Sequence, residues 1–106
     1  MQATAIWPLD VTLNQATGRV DVLWSDGQLG RLGGTLLRGA CRCAACESGR
    51  RAGQPPAAAA DAAVTELQPI GEMGLQLTFN DGHDRGIYPW SYLHELSVIE
   101  RAFVAQ

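Results

Sequence analysis

The chain has 106 residues, 46% of them hydrophobic, and a formal net charge of −3. This length allows one domain with a modest core, which we place over residues 1–106. The negative charge argues against nucleic-acid binding, and no apolar run reaches the roughly 18 residues of a membrane span. Because the N-terminus also lacks a leader pattern, we expect a soluble cytoplasmic protein that binds neither nucleic acid nor membrane.

The first part of the chain has the patterns of strands and a hairpin. Val11 and Leu13 mark a first strand, and apolar–polar alternation over residues 20–24 marks a second. The residues between them are turn formers, which predicts that the two strands pair as a hairpin.

A third strand and a short helix are predicted next. After a tight turn at residues 25–27, Leu29 and Leu32 indicate a short strand that ends at the following glycines. Thr35 is of a type that caps helices, so we expect a short helix over residues 36–38. The leucines of this helix would anchor the next loop to the core.

The segment at about 47–63 differs in composition from its surroundings. It contains the pair Pro55 and Pro56, several glycines and an alanine run, and it has no apolar stripe. Such a segment has nothing to dock on a core, so we predict a flexible connector between two halves of one domain.

The second half begins with a strand from Val64 to about Ile70 and continues with a clean alternation over residues 75–79. The turn at residues 80–82 predicts a hairpin, with His83 as the first residue of the return strand.

A closing helix is predicted after this strand, with Pro89 in its first turn. Its core-facing residues recur at helical spacing, with Leu93 and Glu100 on the flanks of that face. The predicted face consists of Tyr92, Leu96, Ile99 and Phe103. We expect this helix to cover the sheet.

The two halves resemble each other at an offset of 55 residues. The first set is Val20, Val22, Trp24, Asp26 and Gly27, and the second is Leu75, Leu77, Phe79, Asp81 and Gly82. The sequence therefore predicts an α+β fold in which a small antiparallel or mixed sheet is built from two hairpin units. A short helix precedes the cysteines, and the C-terminal helix packs on the sheet.

All three cysteines of the chain, Cys41, Cys43 and Cys46, fall within six residues. An odd number of thiols this close together argues for metal ligation rather than for a disulfide framework. Three thiolates leave one place in the tetrahedron that zinc prefers, which a histidine commonly fills. Of the two histidines, His83 follows a turn that can project its ring, whereas His94 belongs to the predicted helix.

Four of the eight basic residues surround the cysteines, namely Arg38, Arg42, Arg50 and Arg51. One interpretation is that they offset the negative charge of a three-thiolate site. The other is a docking patch for an anionic partner. We favour the first, because four arginines beside one acidic residue make only a small patch.

Several motifs together are similar to those of a known family. They are Leu36-Leu37-Arg38, Cys41-x-Cys43-x-x-Cys46, Phe79-x-Asp81-Gly82-His83, Gly86-Ile87-Tyr88 and Trp90-x-Tyr92-Leu93. The chain resembles the gamma-butyrobetaine hydroxylase-like N-terminal domain, in particular its stand-alone bacterial members.

This resemblance implies a small α+β domain that binds zinc through three cysteines and one histidine. Those positions match Cys41, Cys43, Cys46 and His83 of this sequence. In the family, the domain precedes the iron- and 2-oxoglutarate-dependent catalytic domain of carnitine-biosynthesis hydroxylases. Similar domains are attached to P-loop ATPases that handle iron–sulfur clusters.

Two functions are open at this point. The first is a non-catalytic Cys3His zinc module that binds a partner protein. The second is an accessory role in iron–sulfur cluster assembly or trafficking, with the same cysteines as ligands. Iron–sulfur clusters usually have four cysteine ligands, which favours zinc. The chain has no room for the hydroxylase barrel, so we expect no enzyme activity.

Overall fold

The computed structural model describes residues 6–54 and 60–104, with side chains up to residue 99. Within these residues the chain forms two three-stranded antiparallel sheets and three helices. This is the α+β class that the sequence predicts, although each hairpin unit forms a sheet of its own. None of the described helices is both long and apolar enough to cross a membrane.

The first half forms the sheet β1-β2-β3. Strand β1 spans Pro8–Asn14, β2 spans Arg19–Trp24 and β3 spans Leu29–Leu32. Two helices follow, α1 at Gly34–Gly39 and α2 at Ala44–Arg51. The central strand β2 pairs antiparallel with both neighbours, as the predicted hairpin and second turn require.

The second half forms the sheet β4-β5-β6. Strand β4 spans Val64–Ile70, β5 spans Gly74–Phe79 and β6 spans Ile87–Pro89. Helix α3, at Trp90–Val104, follows directly. Both sheets thus have the same order, with a central strand whose alternate apolar residues are buried.

The two halves also share one turn in detail. The glycines Gly27 and Gly82 have φ angles of 86° and 85°, a conformation that glycine adopts without a steric penalty. Each donates its N–H to the carbonyl three residues earlier, at 2.9 Å. The aspartate before each glycine accepts a hydrogen bond of 2.9 Å from the second residue after it. The repeat predicted from the sequence is therefore present in the fold.

Helix α3 of the second half covers the sheet of the first half, where it contacts β3. Trp24 is fully buried and donates its indole N–H to Ser97 Oγ at 3.1 Å. A Cβ atom at Gly30 would lie 2.2 Å from the same Oγ, so only glycine allows this approach. The helix therefore covers a sheet as predicted, and it joins the two halves.

The buried face of α3 differs from the predicted one. Leu93, predicted on the flank, is fully buried, whereas Ile99 is 53% exposed. The residues that face the interior are Leu93, Leu96 and Ser97. Burial of the serine is possible because its hydroxyl has polar partners in Trp24 and in the Leu93 carbonyl. The side chains of Glu100 and Phe103 lie outside the described residues.

Two element boundaries also differ from the predictions. The N-cap of α1 is Gly33, with no side-chain cap, and the Thr35 hydroxyl instead donates to the Ala60 carbonyl at 3.2 Å. Pro89 is the last residue of β6 rather than part of α3. A proline is tolerated there because β6 is an edge strand.

The first residues of the predicted connector are helical, because α2 extends from Ala44 to Arg51. Glu47 lies in its first turn, and Arg50 and Arg51 lie in its last turn. These charges interact favourably with the helix dipole and stabilise α2. The prolines at residues 55–56 and most of the alanine run lie outside the described residues, so flexibility of the connector stays a prediction.

Candidate metal centre

Four side chains with metal-binding atoms meet where the two halves join. The three Sγ atoms of the cysteines and a ring nitrogen of His83 all lie within 4.8 Å of one another. The structure thus brings together the four residues that the sequence predicts as ligands. It is the only such group of three or more His, Cys, Asp or Glu residues within the described part of the chain.

Two short helices position the cysteines. Cys41 follows the C-cap of α1, Cys43 is the N-cap of α2, and Cys46 lies in the first turn of α2. Cys41 and Cys46 are buried and Cys43 is half-buried. Since Cys43 has extended backbone while Cys46 is helical, the chain folds back and directs the thiols into one small volume.

The loop that carries Cys41 begins at a fixed point. Leu37 is fully buried, and its carbonyl accepts a 2.6 Å hydrogen bond from the Tyr88 hydroxyl. The Tyr92 hydroxyl donates to the Ala40 carbonyl at 2.6 Å. Both tyrosines belong to the second half, so these bonds hold the cysteine loop against the half that carries the histidine.

The sequence predicts His83 as the first residue of the return strand, and this prediction is wrong. The residues from His83 to Gly86 are irregular, and β6 begins only at Ile87. This segment approaches the cysteine loop instead of pairing: His83 Nε2 lies 3.2 Å from Cys41 Sγ, and Gly86 also packs against that sulfur atom. The His83 N–H donates to Asp81 Oδ1 at 2.9 Å, which fixes the backbone that carries the ring.

The distances from the His83 ring to the three sulfur atoms are close to those around a four-coordinate zinc ion. His83 Nε2 lies 3.2 Å from Cys41 Sγ, 3.6 Å from Cys43 Sγ and 3.7 Å from Cys46 Sγ. Zinc bound tetrahedrally at about 2.3 Å to sulfur and 2.0–2.1 Å to nitrogen spaces its ligand atoms about 3.5–3.8 Å apart. Two of the three nitrogen–sulfur distances lie in this range and the third is slightly shorter, so the His83 ring lies close to a ligand position.

The pKa values of the group differ in direction. Burial raises the pKa of the Cys41 thiol to about 11. Burial acts in the same sense on Cys43, but hydrogen bonds from the backbone N–H of Cys46 and from the thiols of Cys46 and Cys41 outweigh it, and the pKa of Cys43 is lowered. Burial and then the charge of Arg38 lower the pKa of His83. A neutral imidazole is the form that binds a metal.

Close packing around Cys41 depends on Gly86. A Cβ atom at Gly86 would lie 2.7 Å from Cys41 Sγ and 3.1 Å from the Tyr88 ring. This contact is too short for any larger residue, so Gly86 allows the histidine segment to approach the thiol. The motif containing Gly86 was noticed in the sequence, but nothing in the pattern indicated this role.

Contacts within the chain are described for three of the four arginines near the cysteines. Arg38 bonds Asp81, Arg50 bonds Glu47 and the Gly39 carbonyl, and Arg42 lies 4.0 Å from the centroid of an aromatic ring. Arg38 also donates to Cys46 Sγ at 3.7 Å. Of these contacts, that of Arg38 reaches a thiol, which supports for this arginine the first of the two interpretations, in which the positive charge offsets the thiolate site.

His94 lies elsewhere, on the side of the first sheet. Its Nε2 is 3.3 Å from Asp26 Oδ2, and its ring meets Trp24 edge-on with centroids 5.1 Å apart. It takes no part in the four-residue group, in agreement with the choice of His83 made from the sequence.

Comparison with known proteins places this site in a family. Residues 11–94 match the model of the family described as gamma-butyrobetaine hydroxylase-like, N-terminal. The chain belongs to this family. The match includes all four residues of the group.

Solved structures agree with this family. A crystal structure of a protein with unknown function from Acidithiobacillus ferrooxidans, which belongs to the DUF971 family, is 31% identical with a TM-score of 0.68. The similarity covers 85% of this chain and 91% of that one. Two NMR solution structures, both 22% identical, have TM-scores of 0.68 and 0.69. They match 92% and 99% of this chain over 77% and 82% of their own lengths, and show the common fold. A search of the curated proteins found no match.

Proposed function

We propose that this chain is a non-catalytic zinc-binding module that acts as a protein-interaction or accessory domain. The observation that carries the proposal is the convergence of three thiols and one imidazole within 4.8 Å. This donor set is common in structural zinc sites and rare as a chance arrangement in a chain with only three cysteines and two histidines.

The proposed role of the ion is structural. Four protein ligands complete the coordination of zinc, whereas a catalytic zinc site keeps one position open for water or substrate. The cysteines precede the second sheet in the chain, and His83 lies in the connection between its strands β5 and β6, so bound zinc would supply a cross-link between the two halves. Closing so long a connection stabilises the folded state.

A catalytic reading has less support. A cysteine nucleophile is activated by one base at hydrogen-bond distance, with its own pKa lowered. Here one ring atom lies at similar distances from all three sulfur atoms. The thiol with the shortest of these distances is Cys41, whose pKa burial raises to about 11. This arrangement fits shared ligation better than nucleophilic chemistry.

Exposed apolar residues of the first sheet support an interaction role. Leu23 and Leu29 are direct partners on β2 and β3, and they are 39% and 46% exposed. Leu9 in β1 and Trp7 just before it are 60% and 51% exposed. Contiguous exposed apolar side chains are typical of surfaces that bind other proteins, and the neighbours Leu23 and Leu29 are the candidates for such a surface here.

Metal analysis of protein purified under reducing conditions tests the proposal against the iron–sulfur alternative. We expect about one zinc per chain and a colourless protein. Iron with sulfide and visible absorption would favour the cluster instead, and absence of any metal after growth with zinc would refute both. As a check on catalysis, the chain should release no succinate from 2-oxoglutarate, with or without iron.

A further inference from the structure

Arg38 contacts both parts of the proposed metal site. It lies on α1, and its side chain is only 12% exposed. Its Nη1 donates to Cys46 Sγ at 3.7 Å, and its Nε donates to Asp81 Oδ2 at 2.9 Å. The guanidinium also lies 5.9 Å from the centroid of the Phe79 ring, the residue before the histidine turn. One side chain thus connects the cysteine loop of the first half with the turn of the second.

The connection continues to the histidine. Asp81 uses Oδ2 for Arg38 and Oδ1 for the backbone N–H of His83, at 2.9 Å each. Arg38, Asp81 and His83 therefore form a continuous hydrogen-bonded chain. Through it, the guanidinium that contacts the Cys46 sulfur also holds the residue that carries the fourth ligand.

The equivalent turn of the first half shows what the aspartate does without the arginine. Asp26 bonds the N–H of Gln28 at 2.9 Å, as Asp81 bonds His83, and the turn has the same glycine conformation. Asp26 also contacts a helix of the other half, but through His94 at 3.3 Å and with no thiolate nearby. The turn therefore forms without Arg38, and the link to a sulfur atom is particular to the second half.

We propose that Arg38 is a positioning residue of the metal centre, which holds Cys46 Sγ and the His83 turn together in the arrangement that binds a divalent cation. This inference rests on the proposed zinc-binding function. A guanidinium suits the role because its N–H groups point in fixed directions from one plane, so two acceptors are held at once. Its charge also offsets that of the thiolates once they are ionised.

The test compares Arg38→Gln, Arg38→Lys and Asp81→Asn with Asp26→Asn, which changes the equivalent aspartate without touching the metal site. Zinc affinity is measured by competition with a chromophoric chelator. Loss of a residue that orients metal ligands typically costs about 10- to 100-fold in affinity, which we expect for Arg38→Gln. Arg38→Lys should keep more of the zinc affinity than Arg38→Gln but less than wild type, since a single ammonium group cannot replace the separate N–H donors of the guanidinium. Asp81→Asn should weaken binding, and Asp26→Asn should stay within about twofold of wild type.

The absorption spectrum of bound cobalt(II) provides a second measurement. If Arg38 only stabilised the fold, its replacement would leave this spectrum unchanged. With the site saturated by cobalt(II), Arg38→Gln should shift the near-ultraviolet thiolate-to-cobalt band, because Cys46 loses its N–H donor. An unchanged band, or unchanged zinc affinity, would overturn the positioning role. If Arg38→Gln does not fold, Asp81→Asn and Asp26→Asn decide: equal zinc affinities in the two would refute the inference.

Failure of the two proposals can be told apart. If the wild-type chain binds neither zinc nor cobalt(II), the proposed function fails and this inference fails with it. If wild type binds zinc and Arg38→Gln binds it equally well, only the role of Arg38 is wrong.

Discussion

Replacing His83 with alanine should release zinc, and replacing His94 should not. His83 Nε2 lies 3.2–3.7 Å from all three sulfur atoms, and no other histidine, cysteine or carboxylate of the described residues joins the group. Alanine at this position leaves three thiolates without a fourth protein ligand. His94 instead bonds Asp26 and contacts Trp24, so its loss leaves the group intact.

The loss of zinc affinity expected for His83→Ala has a lower bound. Loss of an outer partner of a metal ligand costs about 10- to 100-fold in affinity, which corresponds to about 1.4–2.7 kcal/mol. Loss of the ligand itself should cost at least this much in His83→Ala. In His94→Ala, zinc affinity should stay within about twofold, because the contacts removed, with Asp26 and Trp24, lie outside the metal group.

Titration with a competing zinc chelator measures both variants under the same conditions. A thermal melt of His83→Ala provides the control, since chelator should hardly destabilise a variant that holds little zinc. The reasoning is wrong if His94→Ala is the variant that loses zinc, or if His83→Ala keeps wild-type affinity.

Three further predictions concern packing, pH and stability. Gly86→Ala should weaken zinc binding while keeping most of the fold, because the new Cβ, 2.7 Å from Cys41 Sγ, forces this short side chain to turn away; wild-type affinity would contradict the close approach. Zinc affinity should rise with pH through the neutral range, since the Cys41 thiol, with a pKa of about 11 in the metal-free chain, must lose a proton on binding. The lowered pKa of His83 favours the neutral ring, so the thiols supply the protons released. Chelator competition at several pH values should show about a tenfold gain in zinc affinity per pH unit for each proton released, and a flat profile would exclude thiol ligation. Chelating the zinc from a sample that held free zinc at 1,000 times its Kd should lower the free energy of unfolding by about 4 kcal/mol and the melting temperature by at least about 15 °C. An unchanged melting temperature would show that the ion does not join the halves.

The strands could be predicted because alternation is a local property of the sequence. Val20, Val22 and Trp24 in β2, and the corresponding residues of β5, are buried as their spacing predicts. The shared turn could also be predicted, since Asp26 and Gly27 recur as Asp81 and Gly82. The four residues of the site could be predicted from the close spacing of the cysteines, from the turn before His83 and from the preference of zinc for thiolate and imidazole ligands.

Features that depend on contacts between the halves could not be predicted. Ser97 is buried against Trp24. Sequence reasoning assigns a serine to the solvent-facing side of a helix, so the predicted buried face of α3 was wrong. Thr35 was expected to cap α1, but the helix begins at Gly34, so Thr35 lies inside its first turn and its hydroxyl donates to the Ala60 carbonyl. The link from Arg38 to both Asp81 and Cys46 joins residues far apart in the chain, and no local signal marks it.

The central claim is that these three cysteines and His83 together hold one zinc ion. X-ray absorption at the zinc edge of the wild-type protein, purified with zinc and without a histidine tag, tests it most directly. We predict a first shell of three sulfur atoms at about 2.3 Å and one nitrogen at about 2.0–2.1 Å, with the nitrogen contribution lost or replaced by oxygen in His83→Ala. A wild-type shell made of nitrogen and oxygen alone, or one that His83→Ala leaves unchanged, would contradict the account.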